Sequence, residues 1–208
     1  MRPILFYDTE TTGLPDFKAP SEAPHQPHIV QLAALLVDPD SRQTIASMDV
    51  IVRPAGWTIP GEVAAVHGIT TERAEAVGVQ EKLAVEMFME LWFHRPRVAH
   101  NEQFDARIIR IALMRHQNHV VEEWAKPMPD VWKEGGAECT ARLATPICAI
   151  PPTDRMRAVG RFHHKTPNLG EAYRHFTGRD LENAHSAMAD VQACRDVYFA
   201  IQDMRNAA

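Results

Sequence analysis

The stretch Ile4-Leu5-Phe6-Tyr7-Asp8-Thr9-Glu10-Thr11-Thr12-Gly13-Leu14 passes from β-branched and aromatic residues straight into acids, hydroxyls and a glycine. It reads as a buried strand that carries polar chemistry at its carboxyl end. Successive side chains of a strand point to opposite faces, so Asp8 and Glu10 share one face, roughly 6 to 7 Å apart along the backbone. Two carboxylates that close repel, and beside an apolar core the penalty is on the order of several kcal/mol per ion unless a cation neutralises them. Oxygen-only ligands point to Mg2+ or Mn2+.

Working outward, residues 15–28 hold prolines at 15, 20, 24 and 27 and read as a loop beside the acids. Ile29–Val37 and residues 45–52 are apolar, β-prone runs separated by Asp38-Pro39-Asp40-Ser41, which suggests an antiparallel meander with the first strand. Residues 60–66 can form a short helix ended by His67-Gly68, and Thr70 or Thr71 caps a second turn. In residues 81–93 the spacing of Leu83, Met87 and Leu91 predicts a helix with those three on its core stripe. Residues 97–100 read as a brief strand. Asn101 is then placed to cap a helix from Glu102, with Phe104, Ile108, Ile111 and Arg115 on one stripe, widened by Ile109 and Leu113. Asp105 falls in the first turn of that helix, where the macrodipole favours an ionised acid by a few tenths to about 1 kcal/mol.

Residues 119–137 contain Pro127, Pro129 and Gly135-Gly136 and read as a helix end followed by loop, with a short strand at Ala137–Cys139 and a helix from Thr140. Residues 150–166 carry Arg155, Arg157, Arg161, His163, His164 and Lys165 with no acid after Asp154. This concentrated basic segment is either a solvated loop or a phosphate contact. A helix over 168–176 ends at Gly178, and the last helix, 186–204, buries Ala187, Val191, Cys194, Val197 and Ile201. His185 and Asp190 differ by about 140° on a helical wheel, so His185 is expected to project from the preceding loop, free to swing over the site.

With 208 residues and 45% hydrophobic content, one domain over 1–208 is the expectation. The net charge of −5 argues against bulk-charge nucleic-acid binding but leaves room for a local basic groove. Cys139, Cys148 and Cys194 contain no C-x-x-C pair, so neither a disulfide framework nor a thiolate zinc site is indicated. The pairs His116 with His119 and His163 with His164 lack the company of a closed zinc site, so solvent or phosphate contact is expected of them. A reducing cytoplasm, no signal peptide and no membrane partner complete the expectation. Oligomeric state is left open.

Asp8-x-Glu10 on a first strand, Asn101-x-x-Phe104-Asp105 opening a helix and His185-x-x-x-x-Asp190 opening the final helix together resemble the three motifs of the DEDD 3'-to-5' exonuclease superfamily, DEDDh branch. The likeness runs over nearly the whole chain. It implies an α/β, ribonuclease H-like fold whose mixed central sheet has three antiparallel strands followed by parallel ones, with helices on both faces. It implies that Asp8, Glu10, Asp105 and Asp190 hold two divalent ions, Mg2+ or Mn2+, and that His185 is the general base. Two such ions about 3.5 to 4 Å apart suit an in-line phosphodiester displacement, and a histidine ordinarily titrates near 6.5. The resemblance further places Thr11, Gly13 and Leu14 on the terminal nucleotide, with Leu14 as a wedge, and His67, Asn101 and Phe104 near the substrate backbone or the metal ligands.

The expected activity is therefore a metal-dependent 3'-to-5' exonuclease on single-stranded DNA that releases nucleoside 5'-monophosphates. An RNA-trimming exonuclease and a non-catalytic nucleic-acid-binding module of the same fold are the alternatives. Residues 15–28 are longer than the usual connection there, which puts transfer of substrate preference in doubt. The end of the chain soon after the last helix suggests a free-standing enzyme.

Overall fold

A computed structural model describes residues 2–117, 120–121 and 125–207. Ile4–Thr11 forms β1, Ile29–Val37 forms β2 and Thr44–Arg53 forms β3, an antiparallel meander in which Asp8 lies opposite Ala33 and Glu10 opposite Gln31. Two short helices follow, α1 (Gly61–His67) and α2 (Thr71–Val77). Gly68 ends α1 at φ 73, and the Thr70 side chain accepts the Arg73 N–H to start α2. Then come β4 (Val79–Gln80), α3 (Glu81–Trp92), β5 (Arg97–Ala99) and α4 (Glu102–His116). The second half holds β6 (Val120–Val121), β7 (Lys126–Pro127), α5 (Met128–Glu134), β8 (Ala137–Cys139), α6 (Thr140–Cys148), α7 (Asp154–Ala158), α8 (Leu169–Thr177) and α9 (Ala187–Asn206). Among the described residues the main sheet runs β4-β3-β2-β1-β5-β8, with β5 parallel to β1 and β8 parallel to β5. That is the mixed ribonuclease H-like sheet expected from the sequence, with one further parallel strand, β4, on the far edge.

The alternation of β1 divides the core. Leu5 and Tyr7 pack with Phe88, Trp92, Ile108, Ile109 and Trp132 under α3, α4 and α5. Ile4 and Phe6 pack with Val191, Cys194, Tyr198 and Phe199 of α9. By the same alternation Asp8 and Glu10 belong to the α9 face and Thr9 and Thr11 to the α4 face.

Three expectations about local structure are corrected. In α3 the buried apolar residues are Ala84, Val85, Phe88, Met89 and Trp92, whereas Leu83 is 46% and Met87 45% exposed. Apolar residues flank the charged stripe of Lys82, Glu86 and Glu90 on both sides, so the position of the sheet selected which of them are buried. Residues 128–134 are helical because Pro127 stands at the N-cap position and Pro129 in the first turn, where a missing N–H breaks no helical bond. Asn101 does precede α4, but it sits at φ 64, ψ 44 and its side chain makes no capping bond.

His116, expected in solvent, instead joins a buried ionic knot. Glu81, 7% exposed, accepts from Ile29 N–H at 3.0 Å, lies 2.9 Å from His116 Nε2 and 3.2 Å from His28 Nδ1, and pairs with Arg115. Its proposed histidine companion, His119, lies outside the described residues. Burial alone would raise the Glu81 carboxyl, but the bonds from His116 and His28 overcome it and hold the group down from 4.5 to about 2. The unfolded chain takes up this proton below about pH 4.5 and the folded one only below about 2, so the stabilisation is present above 4.5 and lost as pH falls through 2. Glu81→Gln is expected to lower unfolding free energy at neutral pH by about 3 kcal/mol. Denaturant melts of both proteins across that window should show the acid loss in wild type and not in the variant.

The proline-rich segment 15–28 is pinned as a unit. Gln26 Nε2 donates to Asp16 O and Pro20 O at 2.9 Å, and three arginines of α4 grip the loop. Arg107 donates to Ala19 O, Arg110 to Ser21 Oγ at 2.7 Å and Arg115 to Pro27 O at 2.8 Å.

Candidate active site

At the carboxyl end of β1 its pairing with β2 carries a bulge, with Val30 of β2 as the extra residue. The register with β2 slips between Glu10 and Thr11, from Gln31 to Ile29. A bulge bends the strand and re-aims the side chains beside it. Gln31, opposite Glu10, accepts the Ala187 N–H at 3.3 Å and donates to Asp49 Oδ1 at 2.7 Å. The first turn of α9 is thereby seated against the acids, and that turn carries Asp190.

One oxygen or nitrogen of each of Glu10, His185 and Asp190 falls within 4.8 Å of the others. His185 is exposed, sits at φ 67 and donates its backbone N–H to Asp190 Oδ2 at 3.2 Å. The expectation that it swings freely is corrected to that extent: its backbone is tied to Asp190 while its imidazole reaches the acids. Asp190 Oδ1 is buried and has no hydrogen-bond partner among the described residues.

Asp105 comes from the opposite face. It is 2% exposed, and its Oδ1 accepts from both Thr9 N–H at 3.0 Å and Thr9 Oγ1 at 2.7 Å. Thr9 thus holds Asp105 against the strand between Asp8 and Glu10. It was not singled out from sequence, although a hydroxyl on the core face of a strand is a signal of that kind.

All four carboxyls titrate upward. Burial raises Asp8 well above its ordinary range, and the charges of Asp105 and Asp190 add to it. Burial, then Asp8 and Asp190, push Glu10 to about 8. Burial lifts Asp105 to about 8 against its two Thr9 bonds. It also raises Asp190, outweighing the His185 N–H. For Asp105 this corrects the expectation of an acid kept ionised by the helix macrodipole, because desolvation of a group this buried exceeds a surface dipole effect of at most about 1 kcal/mol. Four acids that shed protons reluctantly, one with an orphaned oxygen, form a carboxyl cradle that fits a divalent cation, whose charge would favour their ionised form.

Of the remaining expected residues, Leu14 is 86% exposed at the mouth and Gly13 has no other atom within 4 Å of where a Cβ would stand. Thr11 is buried, with Oγ1 donating to Gly13 O at 2.7 Å. His67 is buried, and Thr11 and His185 are its electrostatic neighbours. Ile69 N–H donates to its Nδ1 at 3.1 Å, so the proton belongs on Nε2, which is buried without a partner among the described residues. Asn101 is exposed, whereas Phe104 is half-buried and packs on the core under α4.

The exonuclease family model RNase_T matches residues 5–198. The chain belongs to this exonuclease family. The exonuclease chain also shares its fold with solved structures. Exonuclease I of E. coli in complex with a dT13 oligonucleotide is 21% identical, with a TM-score of 0.69 over 97% of this chain and 41% of that one. Exonuclease I of Methylocaldum szegediense is 20% identical, with a TM-score of 0.70 over 99% of this chain and 41% of that one. The zinc-bound form of the E. coli exonuclease I complex with single-stranded DNA is 19% identical, with a TM-score of 0.68 and coverage of 100% and 41%. The exonuclease chain therefore spans less than half the length of these relatives, and at such identities the likeness speaks for the fold. Comparison with curated protein sequences finds no match. Among the described residues no helix is long and apolar enough to cross a membrane.

Proposed function

We propose that the chain is a metal-dependent 3'-to-5' exonuclease that removes nucleoside 5'-monophosphates from the 3' end of single-stranded DNA. The observation that carries this reading is the convergence of Glu10, His185 and Asp190 within 4.8 Å at the carboxyl end of β1, beside Asp8 and the Thr9-bound Asp105. Asp8, Glu10, Asp105 and Asp190 would hold two divalent ions, Mg2+ or Mn2+. Bound there, such ions supply Lewis-acid stabilisation of the charge that develops at the scissile phosphodiester.

The chain's own residues do the rest. His185, exposed and tethered through its N–H to Asp190, takes the proton of the attacking water. Leu14 presents an apolar surface to the terminal base, a contact that tolerates any sequence. Gly13 leaves room for the approaching strand, and His67 faces Thr11 and His185 at the same rim. Thr11 contributes backbone at the same rim, and Asn101 and Phe104 line the start of α4. Single-stranded DNA is favoured over RNA by the oligonucleotide-bound exonuclease I structures; these residues would serve RNA equally. Matched labelled DNA and RNA strands incubated with Mg2+, Mn2+ or chelator separate the readings. DNA shortening that needs metal supports the proposal, preference for RNA supports the trimming alternative, and binding without turnover supports a non-catalytic module.

Glu10 and Asp105 also give a pH signature. Their ordinary values are 4.5 and 3.8, and each sits at about 8 in the folded chain. The folded protein therefore keeps protons that the unfolded chain releases. That contribution to stability is full below about pH 4 and lost as pH rises through about 8. Thermal melts in chelator are expected to fall across that window, and excess Mn2+ should flatten the decline, with protons released on binding. A melting temperature independent of pH in chelator would contradict the buried-acid account.

A further inference from the structure

Beyond the acidic site, residues 150–165 close on themselves as a surface loop, with Lys165 N–H donating to Ile150 O at 2.9 Å. The interior of the loop is ordered by α7, whose start is capped by Thr153, and by Arg161 N–H donating to Met156 O at 2.9 Å. Gly160 turns the chain at φ 72. Arg155, Arg157, Arg161, His163 and His164 are all exposed. Arg157 pairs with Asp154 at 3.0 Å, while Arg155 and Arg161 have no acidic partner among the described residues. Among the described residues some exposed cations elsewhere are paired, as in Arg42 with Asp203, Lys126 with Glu134 and Arg174 with Asp180, and unpaired ones such as Arg73 and Arg142 stand singly rather than clustered on one loop. Phe162, 73% exposed, stands among the loop's free cations.

The position of the loop follows from the sheet. β5 runs parallel to β1 with Val98 beside Phe6, and His100 follows directly on its carboxyl end, the end at which β1 bears Asp8 and Glu10. His100 Nε2 lies 3.1 Å from Pro167 O, and because a carbonyl only accepts, Nε2 is the donor. Nδ1 then accepts from Thr140 Oγ1 at 2.9 Å. Burial holds His100 down to about 4, so this neutral bridge persists at neutral pH. The foot of the basic loop is thereby fastened to the end of β5, the strand beside the one that bears Asp8 and Glu10. A polyanion whose 3' terminus lies on four carboxyls meets repulsion from a chain of net charge −5, and it needs positive charge a short way upstream.

We propose that the loop over residues 150–165 is the docking surface for the single strand upstream of its terminal nucleotide, with Arg155 and Arg161 on phosphates and Phe162 stacked on a base. This rests on the exonuclease reading and names the part of the substrate that the acidic site does not touch. Arginines fix phosphates without reading sequence, and an aromatic face accepts any base.

The test is the Arg155→Ala/Arg161→Ala double variant and Phe162→Ala, read by fluorescence anisotropy of a long single strand in chelator and by turnover of the long strand and of a trinucleotide in Mg2+. Among the described residues these side chains make no hydrogen bond, ion pair or ring contact that their loss would break. In the double variant the slope of log affinity against log salt should fall by about 1.4, two single-strand phosphate contacts. Its KM for the long strand should rise about tenfold or more with kcat held, and its turnover of the trinucleotide should match wild type. Phe162→Ala should weaken long-strand binding by about tenfold at any salt. Equal losses on both lengths, an unchanged salt slope, or an equal loss in the exposed control Lys82→Ala would overturn the proposal. A wild-type protein that shortens no strand overturns the exonuclease reading, whereas the anisotropy arm still decides whether the loop binds single strands.

Discussion

His185→Ala is expected to lower turnover of single-stranded DNA by about 10^2- to 10^4-fold, the range for loss of a positioned general base. The imidazole lies with Glu10 and Asp190 inside 4.8 Å, close enough for either a base or a ligand. Oxygen-preferring ions favour the base. Mg2+ and Mn2+ are satisfied by carboxylates, and Glu10 and Asp190 stand at the position with Asp8 and Asp105 as their electrostatic neighbours. The variant should therefore bind Mn2+ and the DNA strand nearly as wild type does, and its defect should lie in kcat. Metal binding that weakens in parallel with turnover would make His185 a ligand. The backbone N–H to Asp190 Oδ2 does not depend on the imidazole, so the loop should hold its place in the variant.

Asp8→Asn is expected to act in two opposite directions. It should reduce activity by about 10^3-fold or more, because a carboxylate that would hold the cation balancing the charge developing at the phosphodiester is lost. It should also stabilise the metal-free protein at alkaline pH by about 1 to 2 kcal/mol. Asp8 is raised by burial and then by Asp105 and Asp190, so ionising it in the folded state works against two neighbouring charges. An amide of the same shape removes that conflict. Melts in chelator on both sides of pH 8, alongside turnover in Mg2+, measure both effects. A variant less stable than wild type at high pH would show that the acids of the metal-free site do not repel.

The fold was legible wherever one physical signal dominated. Asp8 and Glu10 after an apolar run sufficed to place β1, and Ile29–Val37 was read with its observed bounds because continuous β-branched and aliphatic residues leave little else for it to be. The acids on α4 and α9 were legible because both stand in first turns. What stayed hidden depended on tertiary neighbours. Leu83 and Met87 have helical spacing as good as that of Ala84, Phe88 and Trp92, and only the sheet decides between the stripes. Thr9 looks like a spacer between two acids until α4 brings Asp105 beneath it. Gln31 looks like an interruption of a strand until Ala187 docks on it. The Glu81 knot joins residues 28, 81, 115 and 116, a distance no local pattern spans.

The central claim is that these acids and His185 remove nucleotides from a 3' end with divalent metal. It is tested most directly by following a 5'-labelled single strand of DNA in Mg2+, in chelator, and with Asp8→Ala in Mg2+. The account predicts a ladder of progressively shorter 5'-labelled products with wild type in Mg2+ alone, and intact strand in the other two. Immediate release of a labelled mononucleotide from the 5' end, or the same ladder from Asp8→Ala, would contradict it.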